Sequence, residues 1–224
     1  MEKLVKGILE FRRNLQPEVR DTFARLALGQ KPDSLFIACS DSRVVPNLFA
    51  STEPGDLFVV RNVGNLVPSW EELGAGKGDV SVGAALEFSV KELKVRDIVV
   101  CGHSECGAIK ALIEQPQNPD MPYLSSWLKN GLPAMKDQKL LQETPGLSEA
   151  NRFSQLNVLI QIQHLRTYPF IRNALRNGEL RIHGWWFDIH HADVHAYKSA
   201  EHSFVLMDEK EVENTLQDLE SSGG

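Results

Sequence analysis

The chain has 224 residues, 42% of them hydrophobic, and a formal net charge of -6. That length makes one domain the default and can bury a sizeable core. With no long basic run, nucleic acid and anionic membrane are excluded as expected partners, and no apolar run is long enough to span a bilayer. The opening Met1-Glu2-Lys3-Leu4-Val5-Lys6 has no secretory apolar segment, and three cysteines cannot complete a set of disulfides. Both features point to a reducing, cytoplasmic compartment, with cysteine used for metal rather than for cross-links.

Leu4, Ile8, Phe11 and Leu15 repeat at helical spacing, which predicts an amphipathic N-terminal helix. Pro17 starts a second helix at a tolerated first-turn position and Gly29 stops it. Residues 1–28 thus form a helical arm. Gln30, Lys31, Pro32 and Asp33 turn the chain into a strand from Leu35 to Cys39. Pro46, Pro54 and Gly55 mark a loop with at most a short helix, before a buried strand at Leu57 to Val60. Residues 61–79 read as a Gly-, Pro- and Asn-rich loop. Its Gly74-Ala75-Gly76-Lys77-Gly78 lacks the spacing and the leading strand of a phosphate-binding loop. Val82, Leu86, Val90 and Leu93 give Ser81 to Leu93 one apolar face, hence a helix. A third strand runs from Ile98 to Cys101, and Gly107 to Glu114 forms the next helix.

Residues 115–147 hold five prolines and no strong period, apart from a short helix near Trp127. Ser148 and Asn151 start a long helix carrying Phe153, Leu156, Ile160 and Leu165. Pro169 breaks it, and a short helix continues to Gly178. Leu180 to Phe187 and Val194 to Tyr197 read as late strands, a hairpin at the sheet edge. Residues 209–224 are acidic and then Gly/Ser-rich, which predicts a frayed tail. Strands alternating with helices predict a single α/β domain over 1–224. Its central sheet is mostly parallel with a mixed, antiparallel edge, and helices flank it.

Two of these strands end in chemistry-bearing residues. Cys39 closes the first, with Asp41 and Arg43 just beyond. His103 and Cys106 follow the third. Parallel strands put their carboxyl ends at one edge of a sheet, so the five residues converge there. Two thiolates and one imidazole suit a zinc ion, and three protein ligands leave a fourth position open for chemistry. Cys101 shares a strand face with His103 and competes with Cys106 as a ligand. Cys106 is favoured because it lies past the strand end, where the chain can turn towards an open site. A purely structural or redox zinc–thiolate module would have no use for Asp41 and Arg43. His190, His191 and His195 flank the late turn, and nothing of matching spacing makes them a second metal site.

Cys39-Ser40-Asp41-Ser42-Arg43 and Gly102-His103-Ser104-Glu105-Cys106-Gly107, with Pro54 to Asn65 between them, resemble the β-class carbonic anhydrases. The likeness runs from about Gln30 to Glu114 and continues more loosely to His183-Gly184. It implies one zinc per chain on Cys39, His103 and Cys106, and reversible hydration of carbon dioxide to bicarbonate. Hydrolysis of carbonyl sulfide or carbon disulfide is a related alternative. The resemblance also implies that Asp41 orients the attacking water and that Arg43 holds Asp41 ionised. Gln30 matches the family's pocket donor, Phe58 and Val63 its apolar wall, and Gly107 its close-approach glycine. Phe88 stands where many relatives carry tyrosine, so a hydroxyl is lost. The family builds this pocket at a subunit interface, which implies a homodimer, able to pair further into a tetramer. In a regulated subtype Asp41's equivalent becomes a fourth zinc ligand, aided by a tryptophan and a glycine near the first cysteine. Here Phe36 and Ala38 occupy those places, and phenylalanine has no N–H to donate, so the open subtype is expected.

Overall fold

The computed structural model describes residues 1–71, 79–114, 117–136, 138–142 and 144–221. The arm is two helices, α1 (Glu2–Asn14) and α2 (Pro17–Leu26), and Pro17 opens the second without losing a hydrogen bond. Then come β1 (Ser34–Cys39), the single turn α3 (Pro46–Phe49) and β2 (Leu57–Asn62). Helix α4 (Val80–Glu87) is capped by the Asp79 side chain and continues as one π-helical turn, Phe88–Glu92. The next elements are β3 (Asp97–His103), α5 (Gly107–Glu114), α6 (Pro122–Leu128) and α7 (Leu132–Lys136). Ser148 accepts from the Asn151 N–H to start α8 (Glu149–Leu165), and Pro169 opens α9 (Pro169–Arg176). The chain closes with β4 (Arg181–Asp188), β5 (Asp193–Lys198), β6 (Ser203–Leu206) and α10 (Glu209–Ser221).

The six strands form one sheet in the order β2-β1-β3-β4-β5-β6. The first four are mutually parallel, and β5 and β6 add antiparallel partners. The mostly parallel sheet with a mixed edge is therefore as expected. Several details differ from expectation: β2 runs on to Asn62 and β3 to His103, and α7 adds a helix in a stretch expected to hold only a short one near Trp127. The edge is β6, a four-residue strand too short to show a period in sequence. The tail expected to fray is helical as far as Ser221, because Asp208 caps it and Glu211 pairs with Lys198 of β5. Residues 222–224 and the Gly74–Gly78 segment lie outside the described residues.

Alternation along the strands sorts the core. Leu35 and Ile37 of β1, with Ile98 and Val100 of β3, pack on α4, α8 and α9 through Leu86, Val158 and Ile171. Phe36, Ala38, Val99 and Cys101 face the other way, against Val44 and Phe187. Each valine, leucine, isoleucine or phenylalanine among these contributes about 2 kcal/mol on burial. Gly102 marks the closest approach of helix to sheet. A Cβ there would sit 2.8 Å from Val158 Cγ2 and 3.1 Å from the Ser154 carbonyl oxygen. Helix α8 is thereby pressed onto the end of β3. At the other end of the strands, Arg181 and His183 of β4 both donate to Asp97 of β3.

The arm behaves differently. Neither α1 nor α2 buries a residue, and Leu4, Ile8 and Phe11 are more than half exposed. Apart from Phe11, whose ring meets that of Phe23, its apolar stripe is left largely uncovered by the described residues. No described helix is long and apolar enough to cross a membrane.

A candidate metal centre at the carboxyl edge of the sheet

In the parallel register Ala38 lies beside Cys101. Strand β1 stops one residue later at Cys39, and β3 runs on to His103, so both strands deliver a donor to one edge. The chain then reverses through Ser104 and Glu105, where Glu105 takes φ +56, and Cys106 returns to the same spot. One ligand atom from each of Cys39, His103 and Cys106 lies within 4.8 Å of the others, and all three residues are buried.

The donor set fits a metal ion on its own chemistry. His103 Nδ1 faces the Ser104 carbonyl at 2.9 Å. A carbonyl only accepts, so Nδ1 carries the proton and Nε2 keeps its lone pair. That Nε2 is buried and has no hydrogen-bond partner. A buried acceptor left in this way costs about 1–3 kcal/mol unless something binds it. A cation among two sulfurs and this nitrogen removes that cost, and the set is that of zinc. One sulfur already favours the thiolate: a hydrogen bond from Cys106 lowers the Cys39 thiol against the opposing effect of burial, with the Gly64 N–H assisting. Cys106, the donor to Cys39 and buried, is pushed up in turn. Cys101 is wholly buried and burial alone raises its thiol. It sits in the apolar layer with Phe36 and Val99 and is not among the three clustered ligands.

Asp41 stands beside this cluster, its Oδ2 4.0 Å from His103 Nε2. Arg43 grips it as a fork: Nε donates to Oδ1 at 2.9 Å, Nη2 to Oδ2 at 2.8 Å, and the Arg43 backbone N–H also reaches Oδ1. These bonds hold the carboxyl well below the usual carboxylate range. The same Nη2 donates to the Glu105 carbonyl at 3.1 Å, so Arg43 ties the loop after β1 to the turn that carries Cys106. Arg61 of β2 does a related job, donating to the carbonyls of Cys39 at 3.1 Å and Asp41 at 2.7 Å. Sequence reasoning assigned it no role. Its signal was a cation prolonging the apolar run Leu57 to Val60. Phe36 and Ala38 are sealed in their apolar layer, where Phe49 stacks on Phe187 at 4.6 Å.

The expected pocket residues divide by sheet edge. Val63 follows β2 at the metal edge and is 42% exposed. Gly107 opens α5 beside Cys106, and a Cβ there would meet nothing within 4 Å. The close approach expected for it therefore involves no group of its own chain. Phe58 pairs with Leu35, four residues before Asn62, which is roughly 13 Å along the strand from the metal edge. Its ring lies 5.8 Å from that of Phe88, which is 44% exposed. Gln30 precedes β1 and is exposed. Gln30, Phe58 and Phe88 are thus not brought to the metal cluster of their own chain. His190 and His191 sit exposed in the turn after β4, where His191 pairs with Asp188. Among the described residues no second cluster of metal ligands occurs.

A buried, open Cys-His-Cys centre with an arginine-held carboxylate, at the edge of a parallel sheet, defines a zinc-enzyme class. A family model described as carbonic anhydrase matches residues 34–194. A carbonic anhydrase of Pseudomonas aeruginosa is 39% identical over 209 residues, 93% of either chain. The solved β-carbonic anhydrase CcaA superposes with a TM-score of 0.82 at 37% identity, covering 92% of this chain and 98% of that one. A structure from a study of two tetrameric β-carbonic anhydrases of Sordaria macrospora gives a TM-score of 0.67 at 29% identity, covering 87% and 92%. The chain belongs to the β-class carbonic anhydrase family, whose chemistry is zinc-dependent hydration of carbon dioxide.

The division of labour among the cysteines is testable by elemental analysis of purified variants. Cys101→Ser is expected to keep its zinc and Cys106→Ser to lose most of it. Equal zinc content in the two would contradict the ligand assignment.

Proposed function

We propose that this chain hydrates carbon dioxide with Asp41 as the water-orienting group, Arg43 as its holder, and a pocket completed by a second subunit. The observation that carries the proposal is the ionised Asp41 fork placed 4.0 Å from the free nitrogen of His103. Zinc held by Cys39, His103 and Cys106 supplies Lewis acidity that makes hydroxide available from water near neutral pH. The protein's part is positional. Arg43 engages both carboxylate oxygens, yet Oδ2 receives only Nη2 and retains lone-pair capacity. An ionised carboxylate can only accept, so a water at Oδ2 must aim an O–H at Asp41 and leave its oxygen lone pairs for the substrate carbon. Burial of Cys39, His103 and Cys106 keeps bulk water from competing there.

The far-edge placement of Gln30, Phe58 and Phe88 supports a two-chain pocket. Within one chain they sit across the sheet from the metal, partly or largely exposed. A donor and two rings from the partner subunit would give an apolar wall with one polar anchor for a small linear substrate. The uncovered stripe of α1 supports the same assembly, since Leu4, Ile8 and Phe11 present an apolar surface that the described residues of their own chain leave largely exposed. The tetrameric relatives from Sordaria macrospora support pairing of dimers. Three free cysteines support a reducing, cytoplasmic setting.

Stopped-flow pH-indicator assays on metal-quantified protein test the catalytic assignment. Asp41→Ala is expected to cut turnover by about a hundredfold with zinc still bound, and carbonyl sulfide run alongside should remain the poorer substrate. Near-native hydration by the variant would remove Asp41 from the mechanism. For the assembly, Leu4→Ser, Ile8→Ser and Phe11→Ser combined should drive the protein towards monomer in sedimentation and lower activity without loss of zinc. An unchanged oligomer would show that the arm does not hold it.

A further inference from the structure

The peptide unit between Val63 and Gly64 is held at both ends. Its N–H, on Gly64, donates to Cys39 Sγ at 3.3 Å. Its carbonyl oxygen, on Val63, accepts from the Trp127 indole N–H at 2.7 Å. The next carbonyl, on Gly64, accepts from Asn157 Nδ2 at 3.0 Å. Asn157 is fully buried on α8, and its Oδ1 accepts from Gln161 Nε2 at 2.8 Å. Gln161, also fully buried, in turn accepts from the Val67 N–H and donates to the Asn130 carbonyl. The Asn62 side chain closes the loop from within, bonding both the N–H and the carbonyl of Leu66. Gly64 itself adopts φ +83, and a Cβ there would meet the Ala108 methyl at 3.2 Å. Glycine is required for this loop path.

We infer that Trp127 is a positioning residue for the metal centre: it fixes and polarises the Val63–Gly64 peptide so that one N–H points at the Cys39 sulfur, with Asn157 steadying the peptide that follows. The physical reasons are two. A hydrogen bond donated to a carbonyl polarises its amide, so the N–H at the other end becomes a stronger donor. A thiolate that accepts a hydrogen bond has less charge to give the metal, and the metal stays a stronger Lewis acid. A site with two thiolates has particular need of this, because each one weakens that acidity. Three side chains from two helices, Trp127 on α6 and Asn157 and Gln161 on α8, are all spent on one five-residue loop, which is otherwise hard to explain. Packing alone would not require the indole N–H, since Trp127 already buries its ring against both main core clusters.

The inference rests on zinc binding at Cys39, but not on turnover, and the test separates the two. Trp127→Phe removes the donor and keeps an aromatic ring in the core. In cobalt-loaded protein the sulfur-to-cobalt charge-transfer band of the variant should move to longer wavelength, as a less stabilised thiolate gives up charge more easily. In zinc-loaded protein kcat/KM should fall by about tenfold. The cobalt band reports on the ligands whether or not the protein hydrates carbon dioxide. An unshifted band in a folded, fully loaded variant would overturn the inference. Hydrogen exchange on the unaltered zinc protein gives a check that needs no variant. The Gly64 amide should be among the slow ones, and rapid exchange there would overturn the inference as well.

Discussion

The parallel pairing of β1 with β3 is the constraint from which the site follows. Neighbouring parallel strands that end within one residue of each other bring Cys39 and His103 to one edge without any loop having to reach across the molecule. The apolar residues of both strands are buried on two faces, so a slip of one residue would swap the side chains packed in the two layers. Gly102 lets α8 rest on the end of β3, and Ser154 of that helix then donates to the His103 carbonyl at 2.7 Å. The core is thus packed up to the last residue before the metal.

The cysteines show how environment sorts chemically identical groups. All three are buried. Cys101 has only apolar neighbours and the adjacent Gly102 carbonyl as partner, an arrangement that favours the neutral thiol. Cys39 has N–H donors and a neighbouring thiol, an arrangement that favours the thiolate. Beyond the ligands, Arg43 and Arg61 bind carbonyls and a carboxylate on both loops. They hold the loop geometry by charge-assisted bonds where the sheet no longer can.

The first three strands, the Ser148 cap and the metal triad were readable from sequence because each has a local signature: an apolar run, a capping hydroxyl, a ligand spacing. The polar ends of β2 and β3, Arg61-Asn62 and Gly102-His103, carry no apolar period and were not readable. The reading missed β6 because four residues carry no usable period. It also missed α10, where acidic composition masked the helical spacing of Val212, Leu216 and Leu219 and the cap at Asp208. Arg61, Trp127 and Asn157 act through backbone carbonyls far away in sequence, so nothing adjacent announces them. Asn157 and Gln161 did leave a trace, two amides four residues apart on a helix that also buries Leu156, Val158, Leu159 and Ile160. The placement of Gln30, Phe58 and Phe88 away from their own metal edge emerges only from strand direction and register.

Two sulfurs and one imidazole of a single chain are expected to hold one zinc with a position left open. X-ray absorption at the zinc edge, on protein whose metal content has been quantified, reads the coordination shell itself. One zinc per chain with two sulfurs and two lighter donors is the expected result. A third sulfur in the coordination shell, or a chain that folds and hydrates carbon dioxide with no zinc, would contradict it.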